Sequence, residues 1–293
     1  MKGKSSGYSK VEERPTAYGK ADKLETPEVG AWAEKKYQLV HMYDELFASG
    51  MKNKWTRVYL DLYSGAGKAL VRKGGKVLLG SPLLALNIPD KYDKYVFCEE
   101  NRTLLEALRT RVSTDYPDAD VSYVHGDCNR NLEEIISHIP KHSPARKVLT
   151  FCFVDPFSLN IEFKTIKRLS ELFVDFLILL AFSDASRNQT TYISPDNDRI
   201  ERFLGEIDWR EKWLNEMKRG QTFVRFLERE YISQMASLGY PSDSAKLMIE
   251  IRSDDKNLSL YHLAFFSRSE VGYRFWRDVQ KYALAQTQLS FGL

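Results

Sequence analysis

Long apolar runs are missing from this chain of 293 residues. The longest, about Phe176 to Phe182, is far short of the roughly 20 residues that a membrane-spanning helix needs, so no membrane partner is expected. The stretch Met1 to Lys10 is polar and basic with no apolar centre, so no secretory signal is expected. Cysteine is scarce: Cys98, Cys128 and Cys152 are odd in number and lack paired metal-type spacing. Neither a disulfide framework nor a zinc site follows, and a reducing cytoplasm is the expected setting. A strong charge excess is absent too, since the net charge is +3, which is weak support for a nucleic-acid partner. Among the five histidines no metal-ligand pattern stands out, and no serine nucleophile sits in an elbow context.

What is present is enough for one large core. The hydrophobic fraction is 43% and the aromatic fraction 13%. Residues 1–28, rich in Lys, Gly, Ser, Glu and Pro, read as a flexible arm or a segment draped on the surface. A helix is predicted from Trp32 to Ala48, with Val40, Tyr43 and Phe47 on one face. Alternating strands and helices follow, with strands at Arg57 to Tyr63, Tyr95 to Cys98, Val121 to Val124, Val148 to Val154 and Asp175 to Phe182. The last two are almost continuously apolar, as in parallel strands covered on both faces. Between the first two, Lys68 to Gly80 reads as a hairpin-like excursion, and Ser81-Pro82 as an N-cap with proline at the first helical position. Asn101 is placed to cap the next helix. The stretch Ser183 to Asn197 reads as a polar, turn-rich loop in a helical insertion spanning about 183–240. Lys246 to Ile251 and Leu260 to Phe266 then flank the turn Asp254 to Asn257, so those strands must be antiparallel. This order, an α/β mostly parallel sheet closed by an antiparallel hairpin, resembles the Rossmann-like sheet of class I methyltransferases. Residues 29–293 would form that one domain.

Four short motifs follow four of the strands. Asp61-Leu62-Tyr63-Ser64-Gly65-Ala66-Gly67 is a strand end running into glycines, which let backbone N–H groups approach a ligand. In a methyltransferase it would hold the methionine part of S-adenosylmethionine (SAM), with Asp61 accepting from the amine. A plain strand-to-loop turn explains it equally well by itself. The dinucleotide fingerprint G-x-G-x-x-G is broken, because Leu stands at position 70. Glu99, after the second strand, is in the position that binds ribose hydroxyls in nucleotide-binding sheets, although by itself the pair Glu99-Glu100 is explained somewhat better as acidic residues favourable to a helix N-terminus. It follows Gly65 by 34 positions, the Lys68–Gly80 excursion accounting for the excess. In Gly126-Asp127-Cys128-Asn129, Asp127 beside Cys128 could accept from the adenine amino group, or Asp127 or Asn129 could simply cap the next helix. Asp155-Pro156-Phe157 resembles the D-P-P-Y motif of amino-group methyltransferases, in which the polar groups hold an amine and the ring stacks on a planar acceptor. The first and fourth strands are neighbours in such a sheet, so Asp61 to Gly67 and Asp155 to Phe157 should face one crevice. Lys35, Lys36 and Arg187 read more readily as solvated surface than as substrate contacts.

Taken together, these motifs resemble the three-Cys-motif partner family, TcmP. The matching residues are Trp32, Lys36 and Tyr43, then Tyr59 to Gly67, Gly80 to Leu86 and Phe97-Cys98-Glu99. Gly126 to Asn129, Val154 to Phe157, Leu260 to Leu263 and Phe275-Trp276 complete the set. The chain departs from the family's A-G-P-G and D-P-F-G, having Ser64-Gly65-Ala66-Gly67 and Asp155-Pro156-Phe157-Ser158. The resemblance implies a SAM-dependent enzyme but supplies no substrate; the acceptor motif leads to the expectation of an amine acceptor on nucleic acid. It also leaves open a non-catalytic module serving a three-Cys-motif protein in a bacterial defence or mobile-element setting. A metal shared by Asp61 and Asp155 for phosphate-ester chemistry is the less favoured expectation, since no further acidic cluster accompanies them.

Overall fold

The computed structural model describes residues 18–253 and 258–291, so the Asp254 to Asn257 turn and residues 1–17 lie outside the described residues. After a short strand β1 (Glu28–Val29), helix α1 (Trp32–Met51) buries Val40, Tyr43 and Phe47 on one stripe, at the spacing of a helix face. Strand β2 (Thr56–Asp61) leads through the glycine loop into β3 (Lys68–Val71) and β4 (Val77–Leu79), an antiparallel pair where the excursion was expected. Then come α2 (Ser81–Asn87), β5 (Lys94–Glu99), α3 (Arg102–Asp115), β6 (Val121–His125) and α4 (Leu132–Ser137). Strand β7 (Val148–Val154), α5 (Phe163–Leu169) and β8 (Val174–Leu180) complete the alternation. Asn101 caps α3 as expected, its Oδ1 accepting from the N–H of Thr103 at 2.9 Å and Leu104 at 3.2 Å.

The chain then packs short helices α6 (Phe182–Arg187), α7 (Gln189–Ile193), α8 (Arg199–Leu204), α9 (Trp209–Lys218) and α10 (Phe223–Ser237). A 3-10 turn (Ser242–Leu247) precedes β9 (Ile249–Arg252), β10 (Ser259–Phe266) and the closing helix α11 (Glu270–Phe291). The main sheet runs β6-β5-β2-β7-β8-β10-β9. Its first five strands are parallel, and β10 lies antiparallel to both β8 and β9. This is the strand order of the Rossmann-like class I methyltransferase sheet. Its topological switch lies between β2 and β7. No helix among the described residues is long and apolar enough to cross a membrane.

Strand parity divides the core. Val58, Leu60, Val96, Cys152 and Val154 point to one face, while Tyr59, Tyr95, Phe97, Phe151 and Phe153 point to the other. The aromatic face is covered by α1, α2 and α11, which contribute Tyr43, Leu84 and Trp276. The aliphatic face is covered from α4, α5, α8, α9 and α10, with Ile135, Ile166, Phe203, Trp213 and Leu227 among the buried residues. By the same parity Asp61 and Asp155 continue the aromatic face, toward α1.

Three sequence expectations are corrected. Gly80, not Ser81, occupies the N-cap of α2, because Ser81 is already helical and Pro82 follows it within the first turn. Phe182 opens α6 rather than closing β8, and the supposed loop from Ser183 is largely the helix pair α6–α7. Lys246 lies in the 3-10 turn, and the strand begins at Ile249. Of the two readings of the N-terminal segment, its described part, from Tyr18 onward, follows the one draped on the surface. Arg111 of α3, 2% exposed, donates to Asp22 Oδ1 and Oδ2, to the carbonyls of Leu24 and Glu25 and to Thr26 Oγ1. The same guanidinium donates to the Ala66 carbonyl at 2.6 Å, so one buried arginine joins the segment to the glycine loop.

Candidate functional site

Strands β2, β5, β6 and β7 end at one cleft of about 420 Å³, within the roughly 300–1,000 Å³ of small-molecule sites. Its lining includes Tyr63, Glu99, Asp127, Cys128, Asp155 and Phe157, so one or more residues from each of the four predicted motifs meet there. Leu159, Asn160, Arg199 and Arg202 complete the wall, and none of these was singled out in the sequence. A larger cavity of about 530 Å³ lies at the opposite, amino ends of the strands, between Phe47, Trp55, Phe173 and Phe275. None of the motif residues lines it.

The glycine loop is shaped from within. Gly65 and Gly67 have φ of +59° and +79°. A Cβ on Gly67 would stand 2.7 Å from Leu108 and 3.0 Å from Leu83, so both the backbone and the packing require glycine. A Cβ on Gly65 meets nothing within 4 Å, leaving that side of the loop open. Gly65 N–H donates to Glu99 Oε2 and Asn101 N–H to Glu99 Oε1, both at 2.8 Å. Glu99 therefore ties the loop to the β5 end, and each of its oxygens keeps a second lone pair. Ser64 N–H donates to the Cys98 carbonyl at 2.9 Å, while the buried Ser64 hydroxyl has no hydrogen-bond partner among the described residues.

Asp61 does not line the cleft. It is fully buried under the loop, taking hydrogen bonds from Tyr63 N–H at 3.1 Å, Tyr59 Oη at 3.4 Å and the Ser81 hydroxyl. Burial raises its pKa to about 7, against the pull of the Ser81 and Tyr63 donors and with added repulsion from Asp155 and Glu99. The sequence reading gave Asp61 direct contact with a ligand amine. The parity of β2 turns it instead toward α1 and α2.

Asp127 forms an Asx turn, its Oδ1 accepting from the Asn129 N–H at 2.8 Å and Nδ2 at 3.0 Å. Neither Asp127 nor Asn129 caps α4. Asn129 reaches across the cleft instead: its Nδ2 donates to the Asn160 carbonyl, and its Oδ1 accepts from Glu162 N–H and Thr165 Oγ1. It clamps the β6 and β7 ends together. Burial pushes the Cys128 thiol up to about 12, which removes it as a nucleophile near neutral pH.

The fourth motif carries the main surprise. Lys36, read in the sequence as solvated, is 3% exposed, and its Nζ donates to Asp155 Oδ2 at 2.5 Å. The ammonium lies 4.4 Å from the Tyr37 ring centre and 5.2 Å from that of Trp32, while Trp32 packs at 5.0 Å and a tilted 42° against Tyr261 of β10. Burial, the largest single influence, would lower the Lys36 pKa, but the Asp155 charge and hydrogen bond together with Tyr37 and Tyr261 outweigh it and hold the group above the ordinary lysine range. A signal was present: residues 36, 40, 43 and 47 form one helical stripe, and the other three are core. Phe157, by contrast, is 85% exposed at the cleft. Ser158 follows with φ +55°, where the resembling family has glycine. Its hydroxyl donates to Asp184 Oδ2 at 2.5 Å and meets Tyr192 Oη at 2.9 Å, fastening the turn to α6 and α7. Arg187, at the end of α6, is exposed. Among the described residues no group of three or more His, Cys, Asp and Glu is arranged to hold a metal ion.

No family model matches the sequence, and neither does any curated protein. Among solved structures the chain is similar to protein LPL1258 from Legionella pneumophila, at 13% identity and TM-score 0.43, over 78% of this chain and 84% of that one. It is similar to the METTL16 MTase domain at 11% identity and TM-score 0.43, over 81% and 69%. Trm1 from Pyrococcus horikoshii, solved with S-adenosyl-L-methionine, is similar at 10% identity and TM-score 0.40, over 80% and 57%. At these identities and scores, function has to be read from the cleft itself.

Proposed function

We propose that this protein is a SAM-dependent methyltransferase that transfers a methyl group to an amine, on nucleic acid. The observation that carries the reading is the convergence of Tyr63, Glu99, Asp127, Cys128, Asp155 and Phe157 on one cleft at the switch point of the sheet. The residues fit the cofactor. Gly65 leaves an open face for its amino-acid end, and the unpartnered Ser64 hydroxyl lies in the same loop. Glu99 has lone pairs left for two ribose hydroxyls, and Asp127 Oδ2, whose partner is the exposed Arg130 at 3.9 Å, keeps a lone pair for an adenine amino group. Asp61 shapes this loop from beneath rather than touching the ligand. When bound, the cofactor supplies an electrophilic methyl group on a sulfonium. The protein's part is to align an acceptor, with Asp155, before Pro156, as the hydrogen-bond acceptor and the exposed Phe157 ring as a platform for a planar base. Arg199 and Arg202 on the cleft wall suit a neighbouring phosphate.

Calorimetric titration with SAM and with its demethylated product tests the reading. Saturable binding is expected, weakened at least about tenfold by Glu99→Ala or Asp127→Ala. Asp155→Ala should reduce transfer more than binding. A folded protein that binds neither compound would falsify the proposal. A second reading, a non-catalytic module that serves a three-Cys-motif partner, is favoured by one observation: Lys36 already engages Asp155. Cofactor binding with no transfer to DNA, RNA or protein amines would support it.

A further inference from the structure

The carboxylate assigned to an incoming amine already holds one, and that amine belongs to the chain. Lys36 Nζ is 2.5 Å from Asp155 Oδ2, almost fully buried over the Trp32 and Tyr37 rings, with Tyr261 packed behind Trp32. An aromatic enclosure closed by a carboxylate is the chemistry that recognises alkylammonium groups. A lysine at this position is not needed to fill space. The two neighbouring turns of the same stripe carry Val40 and Tyr43, and burying a charge where an apolar side chain would pack is costly. From this placement, and resting on the cofactor reading of the adjoining cleft, we infer that Lys36 is an internal methyl acceptor, modified in cis at the Asp155 subsite.

The step balances without a further reactant. The Lys36 ammonium first gives a proton to Asp155, which passes it to solvent through its exposed side. The Nζ lone pair then forms the N–C bond to the methyl group as the C–S bond breaks. That electron pair stays on sulfur, and the sulfonium becomes a neutral thioether. The positive charge moves from sulfur to Nζ, and the methylated ammonium remains among the same three rings. Only the neutral amine reacts, so transfer is slow near neutrality. The groups facing Nζ are Asp155 after β7, Tyr37 on α1 and Tyr261 on β10, with Asp61 behind Tyr37 and with Asp184 and Arg187 near Tyr261. Among them Asp155 sets the proton affinity, which keeps Lys36 mostly charged through pH 9.

The experiment is mass spectrometry of the full chain, first as purified from cells and then after incubation with SAM at pH 7, 8 and 9, with fragment spectra resolving Lys35 from Lys36. The expected result is one or more methyl groups on Lys36 and none on Lys35. The rate should rise about tenfold per pH unit, because the neutral fraction of a lysine does so below its pKa. Lys36→Arg, which keeps the charge, should remove the modification while leaving calorimetric binding of the demethylated product within about twofold. Asp155→Asn should flatten this pH dependence, because the charge that keeps Lys36 protonated is gone. An unmodified Lys36 in a chain that binds SAM overturns this inference and leaves the cofactor reading standing. Equal methylation of Lys35 and Lys36 overturns it as well, by marking adventitious alkylation. Absence of SAM binding overturns both.

Discussion

At the scale of single residues, two buried charges decide how the site behaves. Asp61 keeps its proton in the folded chain up to about pH 7, whereas the unfolded chain releases it near the ordinary value of 3.8. Between those values the folded state binds the extra proton, so stability falls as pH rises through that window. The loss amounts to on the order of a few kcal/mol above pH 7. Asp61→Asn should therefore raise the melting temperature at pH 8 and change it little at pH 4.5, as thermal unfolding at the two pH values will show. A wild-type and variant gap that is the same at both pH values counts against the burial argument. Lys36 and Asp155 form the second case. Asp155→Ala leaves a buried ammonium unpaired and should cost about 3–5 kcal/mol. Lys36→Met with Asp155→Ala removes both charges and should recover most of that loss. Denaturant midpoints of the two single variants and the double measure the coupling.

At the scale of elements, loops were less legible than the helices and strands they join. The 3.6-residue stripe of α1 and the apolar runs of β7 and β8 are local patterns, so the sequence shows them directly. Arg111 is different. Its hydrogen bonds to Asp22, Leu24, Glu25, Thr26 and Ala66 span 45 to 89 positions of chain, and no local pattern announces them. Arg111→Leu should free the segment before β1, and limited trypsin digestion should then cut after Lys20 or Lys23 many times faster, with the core fragment intact. Unchanged cleavage would show that β1 alone holds the segment. Gly67→Ala should destabilise the chain by about 1–3 kcal/mol, since φ +79° and the contact with Leu108 both oppose a Cβ. Gly65→Ala, whose Cβ points into open space, should cost about 1 kcal/mol and show its larger effect on ligand binding. Chemical denaturation and calorimetry together separate the two glycines.

At the scale of the whole molecule, charge burial sets the pH range of stability. Burial raises Asp44, Asp61 and Asp175 together, the last to about 7, so three carboxyls favour the folded state in their neutral form. The hydrogen bond from Arg111 holds Asp22 well below the usual range, so that contribution is present above about pH 4 and lost in acid. Thermal unfolding should show a maximum near pH 4–5 and a decline toward pH 8, and a maximum at pH 7–8 would contradict these assignments. By itself the sequence determined the order of strands and helices, the antiparallel closing pair, the glycine loop and the four motifs at strand ends. Each is written in neighbouring residues whose period, turn chemistry and apolar content act locally. Only the tertiary structure decided which way those motifs face. Strand parity sent Asp61 under the loop, where the sequence had placed it in the cleft. The packing of α1 against the sheet brought Lys36 to Asp155 across 119 positions. Such a pairing depends on two elements meeting in space, and that is fixed by how the whole core packs.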